Sequence, residues 1–268
     1  FGGCVFAPDR RRHRKMLMSV FTILYRNIKW RFHNVLTIIT TILQPILWLV
    51  LYSAVAEHTM KDAGIENYTA FILPGLMVLV SFSACSSSGI MNYMMKSDGS
   101  FFRVLIAPIP RSSIVLGQLL EAVICTFFEI MVMGFISLLF SVRIAISFWG
   151  ICLIFLLIFL TAFFISGLTY GISLILPNEV VYETVMNAIV LPVFFLSTAL
   201  FPADAIHGFL GLIIKINPFT HVINALRSIL LFGSAEKENI LFTLGLFAVM
   251  GCVIFCWALK RLNKETCL

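Results

Sequence analysis

Charge is what this sequence has least of. Only 12% of its 268 residues are Asp, Glu, Lys or Arg, while 60% are hydrophobic. A soluble globular chain is about a quarter charged. Water cannot hold so apolar a surface, so the class is an all-α integral membrane protein. Catalytic signatures are missing as well: there is no G-x-x-x-x-G-K-[ST] phosphate loop, no G-x-S-x-G, no H-E-x-x-H and no paired-carboxylate site. The chain is therefore not expected to hydrolyse ATP by itself or to act as an enzyme, and no metal site is expected. Of the seven cysteines, five lie in apolar segments and none in the stretches placed outside the cell, which speaks against a disulfide framework. Cys252 and Cys256, four residues apart, are read as packing residues rather than metal ligands.

What is present is a series of apolar runs. Windows close to the ~20 residues needed to span a bilayer lie at 35–56, 71–95, 113–141, 148–176, 180–200 and 239–259. Six crossings put both termini on one side. Eight Lys/Arg precede residue 34, three follow the second window and three lie at the C-terminus, against five on the opposite face. The positive-inside rule then makes both termini cytoplasmic, in a multi-pass protein of the cell membrane. Residues 1–16 are expected as a basic tail, read as an upstream extension ahead of a natural start at Met16 or Met18. The six-span domain occupies 34–262 and a short cytoplasmic tail 263–268.

Two segments do not read as simple spans. Over 17–33, Leu17, Val20, Phe21, Leu24, Ile28 and Phe32 share one helical face, with Ser19, Thr22, Arg26, Lys29 and His33 opposite. This predicts an amphipathic helix along the cytoplasmic membrane surface, with Tyr25 and Trp30 at headgroup level. Over 201–236, two apolar stretches of about a dozen residues, each too short to cross, are broken at Asn217-Pro218. A re-entrant extracellular helical hairpin before the last span is expected. His207, Asn217, His221, Asn224 and Arg227 would then face protein or a wet cavity.

Polar residues inside the spans are candidates for function. Glu121 is expected near the cytoplasmic end of the third span, reaching the interface as a packing residue. Glu129 lies about 12 Å further in, and its readings stay open: a proton or cation relay or a ligand for a cationic substrate, or else a protonated or hydrogen-bonded packing residue. "SFSACSSSG" (81–89), with Ser83 and Ser87, reads foremost as a close-packing helix face. Pro192 with Asn187, Ser197 and Thr198 predicts a kinked, partly polar helix, bordering a pathway or adjusting packing.

Between the second and third spans stands a polar knot, "GSFFRVLIAPIPRSSIVLGQLL" (99–120). Together with "YTAFILPGLMVL" (68–79) and "NPFTHVINALRSILLFG" (217–233), in that order and spacing, it resembles the membrane subunits of type-2 ABC exporters, nearest the multidrug and antibiotic-export branch. The resemblance covers about residues 17–262. It implies a permease that pairs with a second permease copy and with two copies of a separate ABC ATPase, and no nucleic-acid partner. No cofactor is expected on this chain; ATP and Mg would be bound by the partner. The loop 96–112 would hold a coupling helix, with Phe101, Phe102, Arg103, Val104 and Leu105 matching its body and Ala107, Pro108, Pro110 and Arg111 its exit. "RSS" after Pro110, and Gln118 in place of a lysine frequent in relatives, depart from the pattern without an expected loss. Independently of the resemblance, paired aromatics beside an arginine can anchor a docking contact. Pro108 and Pro110 forbid helix continuation.

The resemblance also implies that the second and fifth spans line the route, capped by the outer hairpin. The expected function is export of an amphipathic drug, antibiotic peptide or lipid-like substrate. Export of a lipid-linked glycan is the second transport reading, and a non-transporting membrane interaction or immunity protein the third.

Overall fold

A computed structural model describes residues 10–33, 39, 42–51, 54, 68–139, 148–200, 208–232 and 237–265. The described residues form ten helices and no strand. In order these are α1 (Arg10–Arg31), α2 (Ile42–Leu51), α3 (Tyr68–Ser97), α4 (Ser100–Ile106), α5 (Arg111–Leu139), α6 (Phe148–Ser173), α7 (Glu179–Phe195), α8 (Phe209–Ile216), α9 (Pro218–Phe232) and α10 (Lys237–Glu265).

Four of them, α3, α5, α6 and α10, are long and apolar enough to cross a membrane. The first expected span is described only over α2, and most of 35–56 lies outside the described residues. The fifth takes a shorter form than expected. α7 ends at Phe195, one turn past Pro192, and its 17 helical residues give way to a turn before Leu200. Proline removes a backbone donor and strains the preceding turn, which brings the helix to an early close. α1 starts at Arg10, so part of the expected basic tail is helical; arginine and lysine are good helix formers.

The solvent logic of a soluble protein is inverted. Large apolar side chains point outward on α5 (Met131, Phe135), α6 (Trp149, Phe155) and α10 (Leu241, Val249, Val253), each more than half exposed. Polar side chains are enclosed instead, among them Asn27, Arg31, Asn92, Gln118, Glu121 and Thr126. A surface this apolar needs lipid around it. Cys252 and Cys256 are exposed on α10, so the packing role expected for them does not hold; that face of α10 points away from the bundle.

α3 is the central post, with 78% of its apolar window buried against 22% for α10. It contacts α5, α6, α7 and α9. One core joins Leu76, Phe82 and Cys85 of α3 to Val123 and Met133 of α5, Ala162 and Ile165 of α6, Val222 of α9 and Phe247 of α10. A second core gathers Ile23 of α1, Phe101 of α4, Val115 and Leu119 of α5, Tyr170 of α6 and Leu262 of α10.

Between α3 and α5 the chain makes two breaks, each with a local cause. Gly99 adopts a left-handed backbone (φ 69°), which ends α3 and starts α4. Ala107, the residue before Pro108, is extended (φ −61°, ψ 142°), so α4 stops there. The Pro110 carbonyl then accepts from the Ser113 amide at 2.9 Å, opening α5.

Gly75 marks where α3 meets the end of α7. A Cβ at this position would lie 2.7 Å from Ala199 Cβ and 2.8 Å from its Cα, atoms that no rotamer change can move away. Replacing a helical glycine by alanine ordinarily gains up to about 1 kcal/mol. Here overpacking against backbone should win. Gly75→Ala is expected to destabilise the purified protein by about 1–3 kcal/mol, read as a lowered thermal midpoint in detergent.

Candidate functional site

α4, the segment expected to couple to a partner, is a short helix with two dissimilar sides. Phe101 is turned into the second core, with a relative exposure of 4%. Phe102, Arg103 and Ile106 are exposed, Ile106 the most at 84%. Val104 and Leu105 are half-buried and pack against the same core as Phe101. Lys96 sits over the Phe101 ring, 5.4 Å from its centroid, and also pairs with Glu265 of α10 at 3.6 Å. Pro108 and Pro110 are exposed at the exit, and Arg111 donates to Asn263 of α10 at 3.3 Å. α4 is thus held from behind, with an apolar and basic tip left free. Of the two phenylalanines expected as outward anchors, only Phe102 faces outward.

Beside α4 lies a buried polar network that the sequence reading did not find. Arg31, at the end of α1, donates to Glu121 of α5 at 2.8 Å, to the Ala84 carbonyl of α3 at 3.3 Å and to the Ser87 hydroxyl. Glu121 also accepts from Ser88 at 2.6 Å and from the Cys125 thiol at 3.3 Å. Asn27, one turn before Arg31, donates to Gln118 at 2.8 Å, and Gln118 donates to Ser88 at 3.0 Å. Burial alone would lower the Arg31 pKa, but Glu121 more than offsets this and holds it above its ordinary value. The guanidinium therefore stays charged. Glu121 does not reach an interface as expected; it is fully enclosed. The buried stripe of α1 is Val20, Ile23, Asn27 and Arg31, while Leu17 and Phe21 point outward. Spacings of three and four residues carried this signal. It was obscured because Asn27 and Arg31 are polar and were not read as a core face.

The expected pathway residues fall in three places. Ser83 and Ser87 of α3 and Asn187 of α7 line one cleft of about 360 Å³, together with Gln44, Trp48 and Glu183. Glu129 stands apart on α5, 5% exposed and without a hydrogen bond or ion pair among the described residues. Ser197 and Thr198 are buried just past the end of α7; Ser197 donates to the Phe194 carbonyl of its own turn, and Thr198 belongs to a clamp that holds α9.

That clamp is built from the expected hairpin residues. α8 and α9 are bent by 74° at a single-residue break, Asn217, as the Asn-Pro pair predicts. Asn217 donates to the Val193 and Leu196 carbonyls, both at 2.8 Å, and accepts from the Phe219 amide at 3.0 Å. It thereby satisfies carbonyls at the C-terminal end of α7 and caps α9, which Pro218 opens as a first-turn proline. Arg227 donates to the Thr198 carbonyl at 2.6 Å and the Phe71 carbonyl at 3.2 Å, and stacks 3.8 Å from the Phe71 ring centroid. Thr198 donates to Asn224 at 2.8 Å. His221 contacts the Phe242 ring edge-on at 5.6 Å and takes no part in the clamp. His207 lies outside the described residues.

An apolar exterior around an enclosed polar interior, built on several long apolar helices, defines a polytopic membrane protein. The chain belongs to the ABC-2 type transporter family, whose sequence profile matches residues 18–231, and is a transport permease of that kind. It is similar to the transport permease ycf38 of Cyanophora paradoxa, 29% identical over 220 residues covering 80% of this chain and 74% of the relative. It is also similar to ycf38 of Porphyra purpurea, 27% identical over 72% of this chain and 67% of the relative. A third relative is the daunorubicin resistance ABC transporter permease protein DrrB1 of Streptomyces coeruleorubidus, 21% identical over 84% of this chain and 79% of the relative.

The two intramembrane acids should respond oppositely to neutralisation. Glu121→Gln leaves Arg31 buried and uncompensated, so a loss of about 3–5 kcal/mol is expected. Glu129→Gln removes an acid that has no hydrogen bond or ion pair among the described residues and should leave stability unchanged or raised. Thermal unfolding of both variants in the same detergent checks the contrast; an equal loss in both would show that the ion pair has no special weight.

Proposed function

We propose that this permease is the membrane half of an ATP-driven exporter. A second copy completes the route, and two copies of a separate ABC ATPase bind ATP and Mg and supply the energy. The observation that carries the reading is α4, where Phe102, Arg103 and Ile106 project from a helix whose rear is bound to the second core. A helix so held can pass a load from a docked partner into α3 and α5 rather than bend under it. In this reading there are six crossings, with α2 completing the first and α7 the fifth. Both termini are cytoplasmic, and α8 and α9 form a re-entrant cap at the outer face.

The cleft between α3 and α7 is the proposed half-route. Ser83, Ser87 and Asn187 offer hydrogen bonds, while Trp48, Phe82 and Val190 offer apolar contact. Such a mixed lining favours an amphipathic cargo over a purely ionic one. A relative named for daunorubicin resistance supports the same cargo class.

Reconstitution with the cognate ATPase in proteoliposomes tests this. Association is expected to change the ATPase rate, and ATP is expected to drive movement of an amphipathic drug. No change in ATPase rate and no movement of any cargo would leave a non-transporting membrane protein. Movement of a lipid-linked glycan alone would replace the drug reading. The double variant Phe102→Ala/Arg103→Ala should lose at least about tenfold in ATP-coupled transport, as expected for truncated interface anchors, while membrane insertion stays intact. Full-rate coupled transport would remove α4 as the docking element.

A further inference from the structure

A second cavity among the described residues is larger than the cleft. It measures about 890 Å³ and lies between α1 and the cytoplasmic half of α3, as oriented above. Its size falls within the range of about 300–1,000 Å³ typical of small-molecule sites. Its lining divides by chemistry. α1 and its end supply Arg26, Lys29, Arg31 and His33, and among the described residues no carboxylate lines the cavity. α3 supplies an apolar wall of Ile90, Met91 and Met94, adaptable side chains suited to a flexible chain.

Among the described residues the positive charge is compensated at Arg31, which Glu121 neutralises. Arg26 bonds neutral groups there, the Asn27 side-chain amide oxygen at 2.9 Å and the Met95 sulfur at 3.2 Å. Lys29 is exposed and has no hydrogen bond or ion pair among the described residues. Tyr25 and Trp30, 61% and 44% exposed, stand at the rim, the side chains favoured at headgroup level. Leu17, Phe21 and Tyr25 follow one another at helical spacing on the outward face of α1, so the rim is continuous with the face that meets lipid.

From this arrangement we infer that the cavity is a binding site for an anionic phospholipid. The headgroup phosphate sits against Arg26 and Lys29, and an acyl chain lies along Ile90, Met91 and Met94. A free phosphate shares the headgroup chemistry but leaves the α3 wall empty. A zwitterionic lipid fits the wall but brings its own cation to a cationic site. The inference rests on the membrane placement of α1 and not on the exporter reading, so it can stand or fall without the ATPase.

The test uses the full chain in nanodiscs of mixed phosphatidylglycerol and phosphatidylcholine, with the lipids that stay bound on release counted by native mass spectrometry. Wild type is expected to retain phosphatidylglycerol preferentially, and each cation removed should weaken that preference about fivefold. Lys29→Gln should show the single step and Lys29→Arg should not. Lys29 has no partner to lose, so folding does not confound this pair. Met94→Trp, which narrows the apolar wall while keeping both cations, should lower retention of phosphatidylglycerol. Equal retention of the two lipids by wild type, or an undiminished preference in Lys29→Gln, would overturn the proposal. Displacement of the bound lipid by millimolar inorganic phosphate would also overturn it, since it would assign the site to a free anion.

Discussion

A charge pair taken out of water is costly, and a lone member of it costlier still. Arg31 and Glu121 are tolerated in the interior because their remaining valences are used, by Ser87, Ser88, the Ala84 carbonyl and Cys125. This constrains the whole of that end of the bundle. α1 cannot lift from α3 and α5 without leaving Glu121 buried and unpaired. With its polar stripe held inward, α1 must keep Leu17 and Phe21 outward. The orientation of α1 on the bundle thus follows from the ion pair as much as from its apolar face.

The other end of the bundle meets the same difficulty with different groups. α7 stops soon after Pro192, and the carbonyls of its last turn need donors where water is scarce. Asn217 supplies two of them, and Arg227 reaches the Thr198 carbonyl beyond. The break between α8 and α9 is therefore a requirement: it frees the Asn217 side chain to turn back to α7. Residues that look like a polar lining in a one-dimensional reading are here spent on backbone.

That difference explains what could be read from the sequence. Apolar length marks a helix without any knowledge of its neighbours, so 71–95, 113–141, 148–176 and 239–259 appear as α3, α5, α6 and α10. Backbone-restricted residues act locally too, so the exits at Pro108, Pro110 and Asn217-Pro218 were legible, while the left-handed turn at Gly99 was not read. Partnerships were not. Arg31 and Glu121 are 90 positions apart, and nothing at either position names the other. Ser83 and Ser197 are both serines in apolar runs, yet one lines a cleft and the other closes on the Phe194 carbonyl. Their separation depends on which helix faces which, information that is spread over the whole core. The outward turn of Phe102 and inward turn of Phe101 likewise depend on α5, α6 and α10, which build the pocket that only one ring enters.

α3 takes part in every feature of the site, and its faces divide the labour. One face meets α1 and α5 through the ion-pair network, and α4 follows directly from its end across Gly99. An adjoining face, which shares Ser87 with the first, lines the cleft with α7, where the contacts are fewer: the Tyr182 hydroxyl donates to the Ser86 carbonyl at 3.0 Å, and Tyr93 and Tyr182 pack ring against ring. Charged, fully satisfied bonds are stronger than neutral ones, so α1, α3 and α5 form the stiffer unit. A load entering at α4 would move that unit together, and the displacement would be taken up where the bonding is weakest, between α3 and α7. That boundary is the cleft lined by Ser83, Ser87 and Asn187.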